Sequence, residues 1–252
     1  MSHCAWTSRR GGVSAQSMSL PLTCIAVALV VLASAPLDRL DMPPSVAVAP
    51  SPRPGLAPSM PAPAVDSPHP WEQVHEANGV QVFTRQVPGS AVREMRAERI
   101  VDAPAARVWA VVNDLAGYTD FMPYVVEARR VGTGPACSFE YLRLDPPLAK
   151  ARDYTLCVGQ QVDAEAGTFV RHWRTANHAG PPPRRDSIRL DICSGSWTIT
   201  ELGSRSTHLS YWLHTDPGGA LPAWLINQAN RRGMPDLMAA VYRRVHDPDF
   251  RL

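Results

Sequence analysis

Thr207-His208-Leu209-Ser210-Tyr211-Trp212-Leu213-His214-Thr215-Asp216-Pro217-Gly218-Gly219-Ala220-Leu221-Pro222 reads as a strand that ends and a helix that begins. Leu209, Tyr211 and Leu213 alternate with His208, Trp212 and His214, the period of a strand with one buried face, so the first three are expected to point inward. Asp216-Pro217-Gly218-Gly219 then breaks the pattern. From residue 221 to about 245 the apolar residues Leu221, Trp224, Leu225, Leu237, Met238, Val241 and Val245 fall on one side of a helix. Pro235, after Gly233, is expected to bend or break that helix, because it lacks an N–H and crowds the preceding turn.

Working back from this stretch, the chain alternates turn signals with short apolar runs. Asn78-Gly79 marks a turn before a strand at 80–83, and a second strand at 93–101 leads through Asp102 into a helix. Asp102 is placed to cap that helix, Pro104 fits its first turn, and Val108, Trp109, Val112 and Leu115 form its apolar face. Short helical turns around 117–123 follow. Further strands are expected at 125–131, 138–144, 151–162, 168–175, 187–200 and 207–215. In the 187–200 run, Ile188, Leu190 and Ile192 are out of phase with Trp197 and Ile199, so a bulge is expected at Ser194-Gly195-Ser196. Hairpin strands followed by one long helix predict an α+β arrangement, an antiparallel sheet with a helix on one face.

The N-terminal residues have a different composition. Arg9 and Arg10 precede an apolar run at 20–35, the pattern of an export signal covering residues 1–35, with cleavage expected after Ala33. An uncleaved anchor is the alternative. Eleven of the 25 prolines fall between Pro36 and Pro70, where they alternate with small residues, so 36–70 is expected to be an extended, unfolded linker. The remaining chain, 71–248, has the size of one domain and is expected to act as a monomer. These features place the protein in the periplasm or outside the cell.

From residue 71 onward, 21 basic residues face 20 acidic ones, with no basic stripe of the kind that neutralises phosphates, so no nucleic-acid partner is expected. His172, His178, His208 and His214 lack metal-ligand spacing, and neither a nucleophile elbow nor a phosphate loop is present, so no metal or cofactor is expected. Cys137, Cys157 and Cys193 allow at most one internal disulfide; a Cys157–Cys193 bridge is geometrically conceivable, and none is required.

Four segments in order resemble the START (StAR-related lipid transfer) domains of the helix-grip fold. They are Trp71 with Asn78-Gly79-Val80-Gln81-Val82-Phe83-Thr84-Arg85, then Val101-Asp102-Ala103-Pro104-Ala105-Ala106-Arg107-Val108-Trp109, Pro147-Leu148-Ala149-Lys150-Ala151-Arg152-Asp153-Tyr154, and His214 to Pro222. The third departs from the family pattern by one extra residue before the Arg. The resemblance implies a curved antiparallel sheet gripping the C-terminal helix around a tunnel for one lipid or other hydrophobic molecule.

Strand alternation independently puts charge on the expected tunnel face. Glu140 shares a face with Leu142 and Leu144, and Arg152 shares one with Tyr154, Leu156 and Val158. A lone buried charge costs several kcal/mol, so the two are expected to meet each other or a polar ligand group. Leu209, Tyr211 and Leu213 complete the expected lining, with Trp224 and Leu225 closing the opening. Asp153 is expected to hold a loop. The start of the last helix, beside Arg231-Arg232, is expected to touch membranes transiently while the loop 176–185 opens. Carriage of a lipid is the first reading of function. A cyclase-type enzyme using Arg152, Tyr154 and Tyr211, and a ligand sensor or interaction module, are the alternatives.

Overall fold

Alternating burial along each strand builds the sheet. The structure, a computed structural model, describes residues 69–147, 149–218 and 222–251, so the expected signal and all but the last two residues of the linker lie outside the described residues. Strands β1 (Glu72–Ala77) and β2 (Val80–Arg85) form a hairpin whose two-residue turn, Asn78 at φ 53° and Gly79 at φ 73°, is left-handed at both positions. This turn matches the twist of the paired strands, which is why Asn-Gly stands there. Val80, Val82 and Thr84 of β2 are buried while Gln81 is exposed.

β3 (Glu94–Val101) leads to helix α1 (Ala105–Asn113) and the short α2 (Tyr118–Phe121), followed by β4 (Val125–Thr133), β5 (Ser138–Leu144), β6 (Ala151–Asp163) and β7 (Thr168–Thr175). After a 3₁₀ turn at Asn177–Ala179 come β8 (Ser187–Arg189), β9 (Ile192–Gly203), β10 (Ser206–Asp216) and helix α3 (Ala223–Val245). The sheet runs β1-β2-β3-β10-β9-β7-β6-β5-β4, antiparallel along this path; β8 pairs in parallel with β6. Residue 251 closes the described chain.

Three sequence expectations are corrected here. The 187–200 run is two strands, and its phase changes at Leu190–Asp191; pairing of β9 with β10 is uninterrupted through 194–196, where the bulge was expected. Gly195 has a different purpose: a Cβ there would run into the Trp173 ring and the Trp212 carbonyl oxygen. Asp102 does not cap α1. Its carboxylate accepts the Tyr242 hydroxyl at 2.8 Å and faces His246 Nε2 at 2.9 Å, which ties the start of α1 to the end of α3. Finally, of the bend or break expected at Pro235 the break is absent: α3 runs through it continuously, with Gly233, Met234 and Pro235 all buried.

Helix α3 packs on β2, β3 and α1, and Val108, Val111 and Val112 of α1 meet Met234, Met238, Val241 and Val245 in one apolar core. Arg107 of α1 donates to the Val245 and Asp247 carbonyls at 2.5 and 2.7 Å. These are chain-end carbonyls that the helix cannot satisfy itself. The sheet curves around what remains between its β4–β7 side and the helices, and that space is the site.

Candidate functional site

Residues of one alternation class from several strands converge on a tunnel. β5 contributes Glu140, Leu142 and Leu144; β6 contributes Arg152, Tyr154, Leu156 and Val158; β10 contributes Tyr211, Leu213 and Thr215. Tyr118 and Met122 close it from α2, and Leu237 from α3. The tunnel holds about 1010 Å³ of empty space counted with its mouth.

Three aromatic residues form its floor. Tyr211 lies 4.3 Å from Trp197 and 5.8 Å from Trp173 between ring centroids, both in tilted contact. Burial raises the Tyr211 hydroxyl pKa and the Tyr154 one, so both remain proton donors at neutral pH. Burial also pushes the Cys193 thiol, in the same wall, up to about 12.

Glu140 and Arg152 do not meet. Glu140 pairs with Leu156 in register, and Leu156 lies four residues along β6 from Arg152, about 13 Å of strand. Glu140 instead accepts from Arg171 Nη2 at 2.5 Å and from Ser138 Oγ at 3.0 Å, while Arg171 Nη1 donates to Asn113 Oδ1 at 2.9 Å. This charge pair is complete within the protein and seals the end of the tunnel toward α1 and α2. Arg171 was missed in the sequence, although Phe169, Arg171 and Trp173 share a strand face that carried the signal.

Arg152 is left without a carboxylate among the described residues. It is 7% exposed, its Nη1 donates to the Lys150 carbonyl oxygen, and its Nε has no hydrogen-bond partner. Desolvation pulls its pKa down from the usual guanidinium value. By register it sits at the tunnel's other end, opposite Leu144 and near Pro146, Leu190 and Pro217.

Neighbouring Asp153 points to the opposite face and is fully buried. It accepts from Arg189 Nη2 at 2.6 Å and from the Tyr141 hydroxyl at 3.2 Å. Arg189 also donates to the Pro181 and Pro182 carbonyls, so Asp153 fastens the proline loop through it.

The remaining expected lining residues fall elsewhere. Leu209 is fully buried in the core, away from the tunnel, and Leu225 is partly buried outside it. Trp224 is 67% exposed and borders a separate surface hollow with Arg93, Asn227, Gln228 and Arg231, so it does not close the tunnel. The helix turns it outward because Ile226 and Asn230 occupy the buried side. Cys137 and Cys157 form the disulfide, with Cα atoms 5.4 Å apart, and Cys193 is free; Cys157 and Cys193 lie on opposite faces of the sheet. Among the described residues, no three His, Cys, Asp or Glu side chains are grouped to hold a metal.

A family model described as polyketide cyclase / dehydrase and lipid transport matches residues 101–241, more than half of the chain, and the chain belongs to that family. Its architecture is that of the START-type helix-grip proteins. A STAR-related lipid transfer protein from Xanthomonas axonopodis superposes with a TM-score of 0.63 at 24% identity, covering 70% of this chain and 99% of that one. Human STARD10 superposes at 0.64 with 20% identity, covering 70% and 73%. An uncharacterized protein of Pseudomonas aeruginosa is 27% identical over 158 residues, which is 62% of this chain and 77% of that one.

Proposed function

We propose that the protein encloses one lipid or other apolar amphiphile and carries it within the cell envelope. The observation that carries this reading is the apolar tunnel, walled by Leu142, Leu144, Leu156 and Leu213 and floored by aromatic rings, with charge only at its two ends. Each CH₂ moved into it from water gains roughly 0.8 kcal/mol. The export signal read in residues 1–35 and the Cys137–Cys157 disulfide both support an envelope location, since disulfides persist in oxidising compartments. Trp224, exposed and bordering one surface hollow with Arg93 and Arg231, supports transient membrane contact at the start of α3.

Native mass spectrometry of protein purified from its own envelope, followed by lipid extraction, tests the reading. A stoichiometric bound lipid released unchanged is the expected result, and a protein that is empty and takes up no amphiphile would overturn it. A second reading, a cyclase-type enzyme, draws on the family model's description and on Arg152, Tyr154 and Tyr211 lining one cavity as donors to a carbonyl oxygen. Conversion of the bound molecule to product, seen in the same spectra, would favour it.

A further inference from the structure

Two charged ends of the tunnel differ in one respect. Toward α1 and α2 the charge is closed on itself, because Glu140 is bonded to Arg171 and Ser138 and Arg171 is bonded to Asn113. A ligand reaching that end meets groups already satisfied and gains little from a polar head there. At the other end Arg152 lies 93% out of solvent with no acidic partner among the described residues and with Nε unbonded. Asp153, the acid next to it in sequence, faces away and is committed to Arg189 and Tyr141.

An uncompensated buried guanidinium is costly to the protein alone, and it stays protonated whatever its surroundings. Nη1 is held by the Lys150 carbonyl, which leaves the opposite edge of the group, bearing Nε and Nη2, uncommitted to Lys150. That edge presents two parallel N–H donors at the spacing of the two oxygens of a carboxylate or phosphate.

We infer that the ligand is an amphiphile with an oxyanion head, held by Arg152 at the Leu144–Pro146–Leu190–Pro217 end and with its apolar part directed toward the Trp173–Tyr211–Trp197 floor. This rests on the carrier reading above and narrows it to one ligand charge. A neutral head of equal size would leave the guanidinium buried and unpaired, so the protein discriminates by charge.

Binding of dodecanoate, dodecyl phosphate and 1-dodecanol, followed by quenching of Trp173 and Trp197 fluorescence and by calorimetry, separates the cases. At neutral pH the wild type is expected to bind at least one of the two anions about tenfold or more tighter than the alcohol, the margin of a charge-assisted over a neutral contact. Preference for dodecanoate over dodecyl phosphate would identify a carboxylate head, and the reverse a phosphate. Arg152→Gln is expected to remove the preference and leave dodecanol binding in place.

Equal binding of anion and alcohol by the wild type, or a preference that survives Arg152→Gln, would overturn the inference while leaving the carrier reading intact. Binding of none of the three would overturn both. The wild-type comparison stands by itself if the variant does not fold.

Discussion

Arg171 reaches across β6 to place Nη2 2.5 Å from Glu140 Oε2, with the two side chains only 5% and 2% exposed. One strand thus separates the partners, and each also bonds a neutral group, Asn113 or Ser138. Removing one partner strands the other in an apolar wall. Either Glu140→Leu or Arg171→Leu is therefore expected to destabilise the fold by about 3–5 kcal/mol, and the double variant by much less than the sum. Urea unfolding of the three proteins measures this; additive losses would mean that the pair is not coupled.

Arg189 is the pin between the proline loop and the sheet. Its bonds to Asp153, Pro181 and Pro182 hold the segment that carries Arg184 and Arg185. Arg189→Ala is expected to raise the rate of tryptic cleavage after Arg184 or Arg185 several-fold, since such cleavage follows local opening. An unchanged rate, read by mass spectrometry of the fragments, would show that the loop is held by other contacts.

Alkaline stability depends on Cys193. In the unfolded chain a thiol ionises near pH 8.5, whereas burial in the tunnel wall holds Cys193 at about 12. The unfolded state therefore loses its proton first, and the stability associated with the neutral thiol, whole below about pH 8.5, drains as the pH rises toward 12. Tyr154 and Tyr211, raised in the same direction, add to the loss above about pH 10. Cys193→Ala is expected to unfold with a shallower decline in urea midpoint between pH 8 and 10. An identical decline would place the cause elsewhere.

Trp224 contributes little to packing, being mostly exposed. Trp224→Ala with Leu225→Ala is expected to lower cosedimentation with anionic liposomes about tenfold, in line with the apolar area lost from a membrane-facing turn, while Leu225, partly buried, accounts for a small loss in thermal stability. Undiminished liposome binding would remove membrane contact at this helix.

Much of the architecture was legible in the chain. The Asn78-Gly79 turn, the alternation in β5, β6 and β10 and the long apolar side of α3 each depend on neighbours a few residues away, and local geometry expresses them directly. Leu142, Leu144, Tyr154, Leu156, Tyr211 and Leu213 follow from that periodicity onto the tunnel wall. β1 was not read as a strand: its burial pattern is mostly exposed, and its pairing with β2 supplies what its side chains do not. Trp224 was misplaced because a helix of this length has its apolar side interrupted, and only packing against β2 and β3 decides which residues turn inward.

By itself the sequence determined which residues of each strand share a face, because backbone pleating fixes that two residues at a time. Which charges meet across those faces was decided only by the tertiary structure. Glu140 and Arg152 occupy the same face of adjacent strands, yet register sets them about 13 Å apart, and Arg171, opposite Gln160 on the strand beyond and just as far along β6 from Leu156 in the other direction, is the one whose side chain reaches Glu140. Partner choice depends on how strands and side chains come together across the sheet, a long-range quantity that no local pattern encodes. With Glu140 taken by Arg171, Arg152 is left in the tunnel without a counter-charge.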